Sequence, residues 1–277
     1  MSTWLITGSS SGLGRDLARA VLEAGHNAVL TARDPGSVKD LADAHPDTAL
    51  AVALDVTDPA QVTQAVRAGE ERFGAVDVLV NNAGYGYRAA VEEGDDADVA
   101  TLFATNFFGP VALIKAVLPG MRARRHGAIV NISSIGARIC PAGSGYYSAS
   151  KSALEGMSGA LRKELAPLGI SVTVVEPGAF RTDFAGRSLQ QSTTVIDDYA
   201  ETAGKRRKEV DTAHGAQPGD PARAAQAIIT AVEADEPPAL LILGPDALNA
   251  IRGVIDAQLV ELTDWENTSL GTDLRSF

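Results

Sequence analysis

The chain has 277 residues, of which 45% are hydrophobic and 21% charged, and this size and composition fit one large α/β domain with an ample core. The net charge of -11 disfavours a nucleic-acid or anionic membrane surface as a partner. A single cysteine, Cys140, excludes an internal disulfide and fits a reducing, cytoplasmic compartment. The N-terminus has no basic segment or long apolar span, so we expect neither a signal peptide nor a transmembrane helix.

Strands and helices alternate along the chain without a linker. Such alternation is typical of a parallel sheet with right-handed crossovers and helices on both faces. The sequence therefore predicts a single-domain, doubly wound α/β Rossmann fold over residues 1–264. The seven predicted strands are Thr3–Thr7, Ala28–Ala32, Ala49–Leu54, Val76–Val80, Ala128–Ile132, Ser171–Val175 and Leu240–Leu243. After a first helix around Leu17 to Leu22, the predicted helices are Ser37–Ala44, Pro59–Phe73, Asp95–Leu118, a helix from Ser148 to Leu165, Pro221–Val232 and Ala247–Leu262.

Two segments do not fit this alternation. Residues 180–219 are polar with scattered apolar positions, and we interpret them as a substrate lid, the alternative being a surface excursion without a catalytic role. Residues 265–277 are predicted to form an irregular tail.

A glycine-rich turn follows the first strand, with Gly8, Gly12 and Gly14 in the spacing G-x-x-x-G-x-G. A turn between a strand and a helix can aim backbone N–H groups at a pyrophosphate, with glycines where a Cβ would block the approach. An ordinary tight turn has the same residues, so the turn alone does not decide between the two.

Tyr147 and Lys151 lie four residues apart on one face of the predicted helix that follows the Ala128–Ile132 strand. An ammonium near a phenol favours the phenolate, and a charge at about 4 Å could lower the tyrosine pKa from about 10 to about 7. A tyrosine with that pKa exchanges a proton near neutral pH. The alternative is an amphipathic tyrosine beside a solvated lysine.

Five motifs occur together: TGSSSGLG at Thr7, NNAG at Asn81, Ser134, YSASK at Tyr147 and PGAFRT at Pro177. With these motifs in this order, the chain resembles the short-chain dehydrogenase/reductase family over about residues 1 to 245. Its features are closest to hydroxysteroid and retinol dehydrogenase-like members. The resemblance implies an oxidoreductase that interconverts a carbonyl and an alcohol with a nicotinamide cofactor. No metal site is expected.

The resemblance assigns a catalytic tetrad to Asn106, Ser134, Tyr147 and Lys151. Tyr147 would donate the proton to the carbonyl oxygen, and Ser134 would donate a hydrogen bond to the same oxygen. Lys151 would lower the tyrosine pKa and hold the cofactor ribose, while Asn106 would position a water. Ser133 and Tyr146 are predicted to be packing or supporting residues, and Asn106 alone could also be a helix kink or cap.

The same resemblance places the cofactor along the carboxyl ends of the strands. Asp55 would face the adenine amine, Thr182 the carboxamide, and Asn81 and Gly84 the ribose, although Asp55 and Asp58 could also belong to a helix N-cap. The full set of implied cofactor residues is Gly8, Ser10, Ser11, Gly12, Leu13, Gly14, Arg33, Asp55, Val56, Asn81, Asn82, Ala83, Gly84, Tyr147, Lys151, Pro177, Gly178, Phe180 and Thr182.

NADP(H) is the predicted cofactor, with NAD(H) as the alternative. An acid at the end of the second strand would repel a 2′-phosphate, but Ala32 stands there and Arg33 follows it. Asp34 could supply the acid if the strand is longer, although Asp34-Pro35-Gly36 is typical of a turn. Ser11 also departs from NADP-preferring relatives, many of which carry a basic residue there.

The substrate is predicted to be a hydrophobic ketone or secondary alcohol. This expectation depends on residues that could line a pocket or equally form core: Tyr85, Tyr87, Ile139, Cys140, Pro141, Phe180, Phe184 and Leu189. Arg138 and Arg181 could bind an anionic group, although solvated arginines are the commoner case.

A homodimer or homotetramer is expected from the resemblance, through the helices around residues 102–118 and 149–165. Two other functions compete with an oxidoreductase. A non-catalytic cofactor sensor on the same fold would tend to lose the tyrosine or lysine, and an epimerase or dehydratase would need a longer C-terminal substrate domain and a different glycine spacing.

Overall fold

The computed structural model describes residues 1–182, 184, 188–208 and 217–274. Its main sheet has seven parallel strands in the order β3-β2-β1-β4-β6-β7-β9. The chain crosses from β3 back to β4 on the other side of β1, so the switch point lies between β1 and β4, where this class of sheet binds ligands. The strands of this sheet are β1 Thr3–Ile6, β2 Asn27–Ala32, β3 Ala49–Ala53, β4 Val78–Asn81, β6 Gly127–Ile132, β7 Ile170–Pro177 and β9 Leu240–Leu243.

Helices cover both faces of the sheet, as predicted. One face packs against α1, α2 and α9 through residues such as Leu17, Leu41 and Ile228. The other packs against α3, α5 and α7 through residues such as Val66 and Leu113. The helices are α1 Gly12–Glu23, α2 Lys39–Ala44, α3 Pro59–Phe73, α4 Asp96–Phe103, α5 Gly109–Arg124, α6 Gly136–Ile139, α7 Gly145–Leu165, α8 Ala203–Lys208, α9 Pro221–Val232, α10 Pro245–Asp264 and α11 Glu266–Leu270.

A small second sheet was not predicted. Strand β5, Gly86–Arg88, pairs in parallel with β8, Leu189–Gln191, about a hundred residues later in the chain. Three-residue strands of this kind carry no recognisable period in the sequence. The pairing attaches part of the predicted lid to the loop that follows β4.

Two predicted helices and the predicted tail differ from the observed structure. The single helix predicted over Asp95–Leu118 is divided into α4 and α5 by a π-helical turn at Ala104–Phe108. Helix α7 begins at Gly145, before the predicted Ser148, so that Tyr147 lies inside its first turn. The tail after Asp264 was predicted to be irregular, which is wrong for Glu266–Leu270, a short helix.

One helical run, Asp96–Arg124, is long and apolar enough to cross a membrane by length and composition. In this structure the run packs within the domain, where Leu113, Ile114, Val117 and Met121 are buried. Packing against the sheet therefore accounts for its apolar character.

Candidate active site

The glycine-rich turn between β1 and α1 depends on its glycines. Gly8 and Gly12 have φ of +69° and +55°, values that other residues rarely adopt. A Cβ on Gly14 would collide with Asn82 Nδ2 and with the carbonyl oxygen of Gly8. Ala or any larger residue at position 14 would therefore push the turn apart.

The N-terminus of α1 is open. Its N-cap residue, Ser11, makes no side-chain hydrogen bond to the helix, and the first turn contains no acidic residue. The first N–H groups of α1 thus have no capping side chain, and the helix dipole adds a partial positive charge. This end of α1 is suited to an anionic group such as a pyrophosphate.

Asn82 and Thr7 brace this turn. Asn82 Nδ2 donates to the carbonyl oxygens of Thr7 (2.9 Å) and Gly8 (3.3 Å), and Thr7 Oγ1 accepts from the N–H groups of Asn82 and Ala83. The Asn82 side chain is therefore engaged in holding the turn. Thr182 lies on the other side of the turn, since a Cβ on Gly12 would be 3.3 Å from Thr182 Cβ.

Other residues in the predicted cofactor set have their side chains turned away from this edge. Asn81 is buried, and its Nδ2 donates to Asn131 Oδ1 at 2.8 Å, inside the sheet. Val56 packs against Gly109. Only the backbone atoms of Asn81 and Val56 can therefore contribute to the surface of the site. Asp55 Oδ1 accepts from both the N–H and the hydroxyl of Thr57, while Asp58, as expected, caps α3.

The remaining predicted cofactor residues lie along the same edge of the sheet. Ser10 is exposed in the turn, and Leu13 packs partly against the core. Pro177 and Gly178 end β7, where the Gly178 N–H donates to Leu243 O and Pro177 O accepts from the Ile135 N–H. Phe180 packs against the main core near Gly219.

The end of β2 carries the two charged residues, Arg33 and Asp34, on which the choice between NADP(H) and NAD(H) was predicted to depend. Arg33 is exposed there, and Asp34 Oδ1 accepts from the Gly36 N–H as a turn residue. Arg15 on α1, which the sequence analysis missed, reaches the same loop by donating to Ser37 O and pairing with Asp40. The pKa of Asp40 is lowered, because the hydrogen bond and charge of Arg15 outweigh desolvation, which acts to raise it.

Ser134 and Tyr147 meet beside the carboxyl end of β6. The Ser134 hydroxyl lies within hydrogen-bonding reach of the Tyr147 hydroxyl, and Ser134 Oγ also accepts from the Gly136 N–H at 3.0 Å. A Cβ on Gly136 would be 3.2 Å from Ser134 Oγ and 3.3 Å from Tyr147 Cε1, so Gly136 allows the two side chains to approach.

Lys151 and Asn106 meet on the other side of Tyr147, around Gly84. A Cβ on Gly84 would lie 3.0 Å from Asn106 Oδ1 and 3.4 Å from Lys151 Nζ. Asn106 lies in the π-helical turn, where its Oδ1 accepts from the Tyr85 N–H and its Nδ2 donates to Tyr85 O and Ser150 Oγ. The π-helical turn thus places Asn106 at the site. The sequence left open whether Asn106 belongs to the tetrad or to a helix kink, and the structure shows it at a kink beside the other tetrad residues. The structure brings Asn106, Ser134, Tyr147 and Lys151 into one group.

The prediction that Lys151 lowers the tyrosine pKa toward neutrality is wrong. Desolvation raises the pKa of Tyr147 to about 12, against the opposing effects of the Ser134 hydrogen bond and the Arg88 charge. Lys151 Nζ donates instead to Ile132 O at 2.8 Å and lies 6.0 Å from the Tyr147 ring centre. Burial also lowers the pKa of Lys151 to about 8, against the charge of Glu155. Both side chains are buried, so desolvation is the largest effect on the pKa of each, and the attraction between an ammonium and a phenolate expected in water does not apply.

The two neighbouring residues have supporting roles, as the sequence indicated. Tyr146 donates its hydroxyl to Val91 O at 2.7 Å, and its ring lies against Gly94 and Tyr87. Ser133 donates to Glu155 Oε1 at 2.6 Å, two turns along α7 from Tyr147.

Part of the predicted substrate pocket lies where expected. The Phe184 ring is 5.8 Å from the Tyr147 ring, centre to centre, and a Cβ on Gly86 would meet both Leu189 and Phe184. Tyr85 is partly buried, with a buried hydroxyl and a pKa raised mainly by desolvation. Phe184 and Leu189 therefore give this side of Tyr147 an apolar lining, whereas Tyr85 packs against the small core of Tyr87, Ala89 and Leu102.

For Tyr87 the structure shows the alternative that the sequence left open, a core position, and the other three candidates have contacts elsewhere. Tyr87 is fully buried in a small core with Ala89 and Leu102. Cys140 lines a different cavity, between α6, α7 and α10. Arg138 forms ion pairs with Glu155 and Glu176, and Arg181 donates to Gln217 O, so both guanidinium groups are already engaged.

The sequence analysis also missed how residues 188–208, here called the strap, are attached. Glu93 is 3% exposed, and its carboxylate accepts from the N–H groups of Ala90 and Ile196 and from Arg207. Desolvation raises the pKa of Glu93, but these bonds outweigh it and leave the pKa below its ordinary value. No local pattern marks a glutamate that binds residues about a hundred positions later. The rest of the predicted lid, at 183, 185–187 and 209–216, lies outside the described residues.

Comparison with known proteins identifies the family. A family model described as short chain dehydrogenase matches residues 2–193. The chain belongs to the short-chain dehydrogenase family. It is thus a dehydrogenase/reductase, and its structural relatives confirm the doubly wound fold.

Three relatives illustrate the similarity. Oxidoreductase BOA17 of Botryotinia fuckeliana is 39% identical over 270 residues, covering 97% of this chain and 98% of the relative. The 3-ketodihydrosphingosine reductase of Bacteroides thetaiotaomicron is 42% identical over 203 residues, covering 72% of this chain and 71% of the relative. The crystal structure of a short-chain dehydrogenase from Streptomyces avermitilis has a TM-score of 0.92 at 44% identity, covering 99% of this chain and 100% of that one.

Proposed function

We propose that this short-chain dehydrogenase transfers hydride between NADP(H) and the carbonyl or secondary alcohol of a hydrophobic small molecule, with Tyr147 as the acid/base. The observation that carries the proposal is the grouping of Ser134, Tyr147, Lys151 and Asn106 beside an open helix N-terminus. An acid, a hydrogen-bond donor and a cation next to an anion-binding turn are the groups that carbonyl reduction requires.

Tyr147 suits the role of proton donor in reduction. A phenol with a pKa raised to about 12 is protonated at neutral pH and can donate to a carbonyl oxygen. Ser134 would donate to the same oxygen as negative charge develops there. The Ser134 hydrogen bond and the charge of Arg88 would favour the phenolate that Tyr147 becomes. Asn106, fixed by Tyr85 and Ser150, would hold the water that returns a proton.

The glycine turn fits a dinucleotide. Gly8, Gly12 and Gly14 would leave room for the pyrophosphate against the uncapped N-terminus of α1, and Thr182, which lies beside Gly12, would bond the carboxamide. Lys151 would hold the ribose hydroxyls, with Gly84 beside it. The bound cofactor would supply the hydride.

NADP(H) is the proposed form of the cofactor because Arg33 is exposed at the end of β2 and Arg15 on α1 reaches the loop that follows by donating to Ser37 O. Asp34, which could have opposed a 2′-phosphate, is used as a turn residue bonded to Gly36. NAD(H) use remains the alternative outcome of the cofactor assay.

The proposed substrate is an apolar ketone or its alcohol. Phe184 and Leu189 border the Tyr147 hydroxyl side, and we propose that the segment 180–219 acts as a lid over it. The Bacteroides relative is named 3-ketodihydrosphingosine reductase, which is consistent with an apolar substrate. 3-Ketodihydrosphingosine is accordingly a first compound to assay.

We further propose a cytoplasmic homodimer or homotetramer. Large apolar side chains are exposed on α10 and the segment after it, including Ile255, Leu259, Leu262 and Trp265, and a second subunit would remove them from water. Light scattering on the purified protein should give a mass of two or four chains. A strict monomer would refute the proposed assembly and would not affect the proposed reaction.

The experiment for the function measures turnover of NADPH and of NADH with a panel of hydrophobic ketones. NADPH should be consumed, and Tyr147→Phe should lower kcat by about 100-fold or more, because acid catalysis of this kind contributes at least that factor. The matched control is Tyr146→Phe, since the neighbouring hydroxyl donates only to Val91 O. That variant should stay within about threefold of wild type.

The result that would overturn the proposal is tight binding of the cofactor with no turnover of any substrate in either direction. Equal activity of the two tyrosine variants would also remove Tyr147 from the chemistry. Faster turnover with NADH would correct the cofactor and leave the reaction type in place.

A further inference from the structure

A buried charged cluster lies along α7, two turns after Tyr147. Glu176, at the end of β7, is completely buried, and Glu155 on α7 has a side chain that is 12% exposed. Arg138 from α6 contacts both carboxylates, with its Nε 3.0 Å from Glu155 Oε2 and its Nη2 3.0 Å from Glu176 Oε1. Ser133 completes the group by donating to Glu155 Oε1.

The cluster contains more negative than positive groups. One guanidinium faces two carboxylates, and Glu176 Oε2 is buried without a hydrogen-bond partner. A buried carboxylate oxygen left in this way is costly unless a proton neutralises it. Desolvation and the charge of Glu155 raise the pKa of Glu176 to about 7, and Arg138 acts in the opposite direction. One proton shared by the two carboxyl groups therefore satisfies the cluster near neutral pH.

The cluster is joined to the active site at two places. Ser133 stands between Ile132, whose carbonyl oxygen accepts from Lys151 Nζ, and Ser134, which contacts Tyr147. Glu155 follows Lys151 by one turn of α7, and its charge opposes the loss of the Lys151 proton that burial favours. The charge on the cluster therefore affects the pKa of Lys151.

The cluster also has a route to solvent that avoids the active site. Arg138 and Glu155 line a cavity of about 500 Å³ together with Cys140, Ser152 and Gln258. On the other side, Arg138, Glu155 and Arg162 border a second cavity of about 170 Å³. The charged groups that face the carboxyl pair are thus Arg138 from α6 and Lys151 and Arg162 from α7, while α10 contributes the neutral Gln258.

We propose that Glu155 and Glu176 are positioning residues that share one exchangeable proton, and that its release to the cavity side keeps Lys151 charged as the pH rises. When the pair holds the proton, its net charge is -1, balanced by Arg138; when the proton leaves to water, the charge becomes -2. The added negative charge raises the proton affinity of Lys151. The benefit of this for catalysis rests on the proposed function, but the proton equilibrium does not.

The test uses unliganded protein and needs no turnover. In protein labelled with ¹³C at glutamate carboxyl carbons, one resonance should titrate near pH 7, and Glu176→Gln should abolish it. In protein labelled at the lysine ε-carbons, the Lys151 resonance, assigned with Lys151→Met, should titrate at lower pH in both Glu155→Gln and Glu176→Gln, by about half a unit or more. The matched control is Glu164→Gln, an exposed residue of the same helix, which should change neither titration.

Two results would overturn the inference. One is a wild-type spectrum in which no glutamate titrates above about pH 6. The other is a Lys151 titration that is identical in all four proteins, with circular dichroism showing that the variants are folded. If turnover is found, the alkaline limb of kcat/KM should move with the Lys151 titration, whereas a merely structural role would lower activity equally at every pH. Absence of turnover would count against the proposed function and leave the two titrations to decide the inference.

Discussion

The cofactor side of the site and the strap that borders its substrate side are built in different ways. The glycine turn is held by neighbours: Gly8, Gly12 and Gly14 lie within seven residues, and the brace from Asn82 connects adjacent strands β1 and β4. The strap at 188–208 is held from a distance by β5, through its pairing with β8, and by the carboxylate of Glu93. The first region is specified by local sequence, and the second by a few long-range contacts.

The difference implies different sensitivities. The turn is closed by backbone and packing, so its weak points are positions where a side chain would collide. Among the described residues, the strap is attached by strand pairing, several hydrogen bonds and the buried Glu93–Arg207 ion pair, so we expect Glu93 to be its most sensitive position. Removing one partner of a buried pair leaves the other uncompensated, which is more costly than losing a surface contact.

Substitution of Glu93 should give the largest effect on stability. Glu93→Ala removes the acceptor of the Ala90 and Ile196 N–H groups and leaves the Arg207 guanidinium, 13% exposed, without its carboxylate. The free energy of unfolding should fall by about 3–5 kcal/mol, measured by urea denaturation. Limited proteolysis should cut the strap before the rest of the domain.

Glu92→Ala is the matched control for this variant. Glu92 is the exposed neighbour of Glu93, and its Oε2 accepts from the Tyr199 hydroxyl at 2.7 Å. An exposed contact of this kind contributes about 1 kcal/mol or less. Equal destabilisation by the two substitutions would contradict the claim that one buried carboxylate holds the strap.

The Glu93 contacts also define a pH dependence. Since the pKa of Glu93 is below its ordinary value in the folded protein, its contribution to stability is present above the unfolded pKa and is lost as the pH falls through the folded pKa. Glu176 has the opposite sign: with its pKa raised to about 7, its burial costs least at acidic pH and most above pH 7. The two carboxylates therefore act against each other as the pH changes.

The same contrast explains what the sequence predicted. Helices such as Pro59–Phe73 and Pro221–Val232 were predicted with the observed bounds, because Pro after an N-capping Asp and apolar residues at helical spacing are local signals. The grouping of Tyr147 with Lys151 follows from one turn of one helix. The β5–β8 pairing, the Glu93 contacts and the second ion pair of Arg138 join residues that are distant in sequence, and no local period records them.

The Tyr147 pKa shows a second limit. Spacing on a helix correctly placed Lys151 near the phenol, but the size and sign of the shift depend on burial, which only the assembled fold determines. Lys151 Nζ turned out to face the carbonyl oxygen of Ile132, at the end of a strand that sequence spacing cannot orient relative to α7.

A smaller effect is expected on the cofactor side, from Arg33. If its exposed guanidinium at the end of β2 binds a 2′-phosphate, Arg33→Ala should weaken NADPH binding about tenfold, since one charge-assisted hydrogen bond contributes about 1.5 kcal/mol. NADH binding should stay within about twofold, because NADH lacks that phosphate. Arg67→Ala, an exposed arginine on α3 paired with Glu71, is the control and should change neither affinity. Fluorescence titration of both cofactors provides the measurement.

An equal loss of affinity for NADPH and NADH would mean that Arg33 supports the loop at 34–37 without binding the phosphate. In that case Arg15, which donates to Ser37 O from α1, becomes the residue to substitute next.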